Sequence, residues 1–106
     1  MSNSKIKYSH EERLYIHNYF ENLSLENLFY RLAEASLAYT DVPHYTKKTN
    51  ILGIGAVNQF LRFYINKSSN GFVIKFKCEE ASIPFRVQDE QRYMEIIEKN
   101  SIMFQD

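Results

Sequence analysis

Between Phe60 and Cys78 apolar residues recur at every second position, the period of a half-buried strand whose successive side chains point to opposite faces. Leu61, Phe63 and Ile65 fall on one side of a first segment, and Phe72, Ile74, Phe76 and Cys78 on one side of a second. This pattern predicts a hairpin with those side chains turned inward. The other side reads Phe60, Arg62, Tyr64, then Val73, Lys75, Lys77, a basic face with aromatic residues mixed in. Opposed residues of an antiparallel pair share a face, so placing Ile65 with Phe72 and Ile74 requires an even number of loop residues. Four or six are expected around Lys67 to Gly71, with Asn70-Gly71 supplying a left-handed turn.

Upstream the period becomes helical. Ser9-His10-Glu11-Glu12 has the spacing of a capping box, in which the serine oxygen and the glutamate carboxylate each satisfy an orphaned backbone N–H, so a helix is predicted from His10. Its apolar stripe is Ile16, Tyr19, Phe20 and Leu23. Continued in phase, that stripe would meet Glu26, Asn27 and Arg31, whereas the next apolar residues are Leu25, Leu28, Phe29, Leu32 and Ala35. One straight helix cannot bury both sets. Two helices are therefore expected, about 10–22 and 25–39, with Ser24 as the second N-cap.

Asp41-Val42-Pro43 ends the second helix, because the residue before proline is pushed out of the α region. His44 to Asn50 reads as a polar loop, and Ile51 to Val57, apolar but containing Gly53 and Gly55, fits either a short buried helix or a strand by its periodicity, with a helical turn capped by Thr49 or Asn50 favoured. A third strand over 82–87 turns Ile83, Phe85 and Val87 inward, and Pro84 marks it as an edge. Asp89 then caps a last helix, Glu90 to Lys99, which buries Tyr93, Met94, Ile96 and Ile97 and stops at Asn100. Ile102, Met103 and Phe104 follow as an apolar tail. The fold class is α+β: two N-terminal helices, a three-stranded antiparallel sheet (about 59–66, 72–78 and 82–87) and a C-terminal helix (about 90–99).

The 106 residues suit one domain, 1–106, with 1–8 as a flexible N-terminal segment. Thirteen basic and thirteen acidic side chains cancel, so any electrostatic recognition must come from a local patch. Cys78 is the only cysteine, which forbids an internal disulfide and fits a reducing compartment, and no apolar run reaches the length of a membrane span. The expected location is the cytoplasm.

No constellation points to catalysis, a metal or a cofactor. His10 and His17 are two helical turns apart, too far to share a metal ion, and His44 has no second ligand near it in sequence. Cys78 ends an apolar strand face, where a thiol is inert. Gly53-Ile54-Gly55 lacks the third glycine and the lysine of a phosphate loop and reads as a close-packing site. The order helix, strand, strand, strand, helix from Leu25 to Asn100 resembles that of double-stranded-RNA-binding domains, in topology alone. Such domains carry a lysine cluster at the start of the last helix, whereas Gln88-Asp89-Glu90-Gln91 stands here, and the loop Lys67 to Gly71 lacks their proline-histidine pair. These departures argue against that family.

What remains is a foldable, aromatic-rich, neutral chain with one distinctive surface. It is expected to be a non-enzymatic protein-interaction module, a regulator or inhibitor of the kind common in phages and mobile elements, with no cofactor and no membrane contact. The partner-binding residues are expected to be Phe60, Arg62, Tyr64, Lys75 and Lys77, with Tyr45, Lys47 and Lys48 as a second patch. Nucleic-acid binding through the same face is the alternative, and neutral net charge counts against it. The apolar tail and the absence of net charge allow a homodimer.

Overall fold

Ser9 opens the first helix as its sequence requires. The Glu12 N–H donates to Ser9 Oγ at 3.1 Å, and the Ser9 N–H donates to Glu12 Oε1 at 2.9 Å. Both arms of the capping box are closed. In the computed structural model, which describes residues 8–36, 43–48, 51–56, 62–69, 71–77, 79 and 81–103, helix α1 runs His10–Phe20. Glu21 terminates it in the left-handed conformation at φ 51°, and α2 follows at Leu23–Ser36. The break falls where the apolar stripe changes phase. Asn22 caps α2, its Oδ1 accepting from the Leu25 N–H at 3.1 Å, so Ser24 is not the cap, and Leu23 is 64% exposed rather than part of the stripe. Residues 37–39, expected in the second helix, lie outside the described residues.

The sheet is larger than predicted. Five strands form an antiparallel meander in sequence order: β1 Pro43–Lys48, β2 Ile51–Ala56, β3 Arg62–Ser68, β4 Gly71–Phe76 and the two-residue β5 Ile83–Pro84. Residues 44–48 of the expected loop lie in β1, and 51–56, open between a helical turn and a strand in sequence, form β2 paired with it, while 49, 50 and 57 lie outside the described residues. With two more strands, the likeness in element order to double-stranded-RNA-binding domains disappears.

The even loop between β3 and β4 holds, but at two residues rather than four or six, since Ser68 pairs with Gly71. Gly71 opens β4 at φ 122°, a conformation open to glycine and costly for other residues. Only Ile83 and Pro84 of the expected third strand pair with β4, which leaves Pro84 on an edge where its missing N–H costs nothing. Phe85 is buried, whereas Val87 is 42% exposed at the start of a 3-10 turn, Val87–Asp89. Asp89 accepts from Arg86 Nε at 2.9 Å within that turn. Helix α3 then runs Glu90–Met103, through the expected stop at Asn100, so Ile102 and Met103 of the apolar tail belong to its last turn and Phe104 lies outside the described residues.

All three helices pack on one face of the sheet. Ile16, Tyr19 and Phe20 of α1, Leu28, Phe29 and Leu32 of α2, and Tyr93 and Ile97 of α3 join the inward residues of β2 to β4 in one buried cluster. Aromatic rings bridge the layers: Phe29 meets Phe63 at 6.4 Å between centroids, Tyr19 meets Phe72 at 5.5 Å, and Phe85 stacks on Tyr93 at 5.7 Å. Tyr8, expected in a flexible segment, is half-buried with its ring 5.4 Å from that of Tyr30. Residues 1–7 lie outside the described residues. None of the described helices is long and apolar enough to cross a membrane.

Candidate interaction face of the sheet

Strand alternation sends half of the sheet's side chains away from the helices, and the registers show which ones meet. Gly53 pairs with Thr46 on one side and with Tyr64 on the other, and Tyr64 pairs with Lys75, so one row across the outer face reads Thr46, Gly53, Tyr64, Lys75. The neighbouring row reads Lys48, Ile51, Asn66, Val73, Pro84. On the far side of the Tyr64 row lie His44, Gly55 and Arg62, with Lys77 two residues beyond Lys75.

Tyr64 is seated on a glycine. A Cβ built at Gly53 would stand 2.6 Å from Tyr64 Cδ1 and 2.8 Å from the Phe63 carbonyl oxygen, so the phenol ring occupies the space that a side chain at position 53 would need. Gly53 is buried under this ring although it lies on the outer face. A glycine inside a strand marks a close approach of another group, and here an aromatic ring from the next strand fills the gap. The result is a ring laid over the sheet beside Lys75. Tyr64, Asn66, Val73 and Lys75 are half-buried, and Lys77 is exposed.

The predicted contact residues divide accordingly. Tyr64 and Lys75 pair on the outer face, Arg62 shares that face by its register in β3, and Lys77 is exposed in the turn that follows β4. Phe60 lies outside the described residues. The second patch is not a loop and not one surface. Tyr45 pairs with Ile54 and Lys47 with Leu52, both in register with the helix-side set, whereas Lys48 pairs with Ile51 and belongs to the outer rows. The side chains of β1 and of Arg62 are not described. Gly53 and Gly55 read as close-packing positions in an apolar run whose period does not separate a strand from a helical turn, so the seat for Tyr64 is not predicted. Their two-residue spacing within an apolar run is the signal that would have placed both on one face of a strand.

The other candidates find structural partners. His17 Nδ1 is 2.8 Å from Glu26 Oε1, which joins α1 to α2 over a nearly buried carboxylate. Cys78 lies outside the described residues. Among the described residues no group of three or more His, Cys, Asp and Glu side chains converges as a metal site would require. Three tyrosines have phenol pKa values raised above the ordinary value of 10, in each case chiefly by burial: Tyr19, whose hydroxyl donates to the Ile65 carbonyl at 2.7 Å, Tyr30 and Tyr93. All three belong to the core side. No family model, curated protein or solved structure matches the chain.

Proposed function

We propose that the chain is a small protein-interaction module, a regulator or inhibitor that acts in the cytoplasm by occupying a partner's surface with the outer face of its sheet. The reading is carried by one observation. All three helices stack on the same face, so the tyrosine and lysines of the other face are not used to cover the core. A tyrosine in the middle of a contact surface supplies a large amphipathic area at low entropic cost. Neither a catalytic role nor a cofactor enters this reading.

A pull-down from the host at mild salt tests it. A stoichiometric partner that is lost with the double variant Arg62→Glu, Lys75→Glu supports the reading. Failure to recover a partner, together with wild-type behaviour of that variant in cells, ends it. Labelled RNA and DNA titrated at low and moderate salt supply the competing outcome, since phosphate contacts release counterions and give a steep salt slope.

A further inference from the structure

The formal charges cancel over the whole chain but not layer by layer. The four longer strands carry no Asp or Glu and five basic residues, of which Lys48, Arg62 and Lys75 are on the outer side while Lys47 and Lys67 are in register with the helix side. Helices α1, α2 and α3 carry seven acidic residues against four basic ones. The sheet layer is therefore positive and the helix layer negative. Lys48, Arg62 and Lys75 hold outer-face register positions, Lys77 stands in the turn after β4 with Glu79 exposed two residues on, and the middle of the patch is the Tyr64 ring over Gly53.

From this segregation we infer that the partner meets the outer face with an acidic protein surface, its carboxylates over Lys75 and Lys77 and an apolar or planar group over Tyr64. The inference rests on the reading of that face as the contact surface and adds the partner's chemistry to it. Charge complementarity selects the partner. A like-charged surface brought against acid-free strands would be repelled, whereas carboxylates there gain charge-assisted hydrogen bonds from lysine. Tyr64 supplies the apolar centre that such a patch needs to hold its partner once steering has delivered it.

The test titrates the full isotope-labelled chain, at low salt, with a glutamate-rich peptide, a lysine-rich peptide of equal length and a single-stranded oligothymidylate, following backbone amide resonances. The inference expects the glutamate-rich peptide to move resonances around Tyr64 and Lys75 and leave α1 to α3 unmoved. It also expects the affinity to fall tenfold or more in Lys75→Glu, Lys77→Glu, and the lysine-rich peptide to have no effect. A glutamate-rich peptide without effect at millimolar concentration overturns it, as do shifts that survive the double variant or fall on the helices. Tighter binding of the oligonucleotide at the same resonances overturns it in favour of nucleic acid. Dispersed amide resonances of the double variant show that it remains folded. If host-partner capture is lost in Arg62→Glu, Lys75→Glu while the acidic peptide is without effect, the contact surface stands and its acidic partner falls. If capture is unchanged as well, both fall.

Discussion

At the scale of single residues, the outer face depends on a glycine as much as on its charges. Gly53→Ala forces a methyl group to within 2.8 Å of a backbone carbonyl and 2.6 Å of the Tyr64 ring. The ring can swing aside, but the carbonyl moves only with its strand. The expected cost is about 1–3 kcal/mol, that of overpacking, measured by chemical denaturation. In a Tyr64→Ala background the ring obstacle is gone and the carbonyl remains, so the same substitution should cost less without becoming neutral. Equal costs in the two backgrounds would show that the ring does not sit on Gly53.

A second residue-scale consequence follows from the buried phenols. Tyr19, Tyr30 and Tyr93 have raised pKa values in the folded protein, so the fold favours their neutral forms. A group with a raised folded pKa contributes stability that is fully present below its unfolded value, about 10 for tyrosine, and is lost as the pH climbs toward the folded value. Stability should therefore be flat in these groups through neutral pH and fall above about pH 10. Thermal melts with parallel tyrosinate absorbance check this. Tyr19→Phe should flatten the alkaline fall, and an unchanged slope would remove Tyr19 from the account.

At the scale of elements, α3 holds the edge of the sheet through one hydroxyl. Tyr93 donates to the Pro84 carbonyl at 2.6 Å and accepts from the Arg86 N–H at 2.9 Å, while the Phe85 N–H reaches the Phe72 carbonyl at 3.0 Å. A two-residue strand has little ladder of its own, so these bonds fix the position of β5. Tyr93→Phe keeps the ring in its stack on Phe85 and leaves two backbone groups without this partner. It should cost about 1–3 kcal/mol and speed hydrogen exchange at the Phe85 amide well before the central strands respond. The ion pair of Arg31 with Glu90, bidentate at 2.9 and 3.0 Å, joins α2 to α3 at a partly exposed site, and a double-mutant cycle there should return no more than about 1 kcal/mol.

Elements whose local chemistry agrees with their place in the fold were legible in sequence. The capping box at Ser9, the phase break before α2 and the alternation of Phe63 to Phe76 each follow from nearest neighbours, and each is present in the structure. The hairpin β1–β2 was not legible, because tertiary position overrides its local signals. Strand β1, Pro-His-Tyr-Thr-Lys-Lys, lies at a sheet edge where polar residues and proline are tolerated, so it reads as a loop. In β2 the glycines lower strand propensity, and at Gly53 the compensation comes from the Tyr64 ring of a different strand. Asn100 failed as a stop for a similar reason: asparagine permits a left-handed cap but does not compel one. The outer face of the sheet was legible where it is built from β3 and β4 and illegible where it depends on β1.

At the scale of the molecule, zero net charge conceals a charge separation across the two layers. A sheet layer without acids lies against a helix layer with seven acidic and four basic residues, and the basic outer face of one copy complements the helix layer of another. No net repulsion opposes their approach. At low ionic strength, where the screening length is roughly 30 Å, this field spans most of the molecule, whose longest dimension is 39 Å. At about 0.15 M salt it is screened within about 8 Å. The chain should therefore associate weakly with itself at low salt and dissociate as salt is added, which is the reverse of an apolar interface. Light scattering against salt concentration measures this. Lys75→Glu, Lys77→Glu should abolish the low-salt association, because it places acids where the helix layer of a second copy would approach. Association that persists or grows with salt would instead locate the self-contact on apolar surface, where Leu14 and Leu23 are exposed on the helix layer.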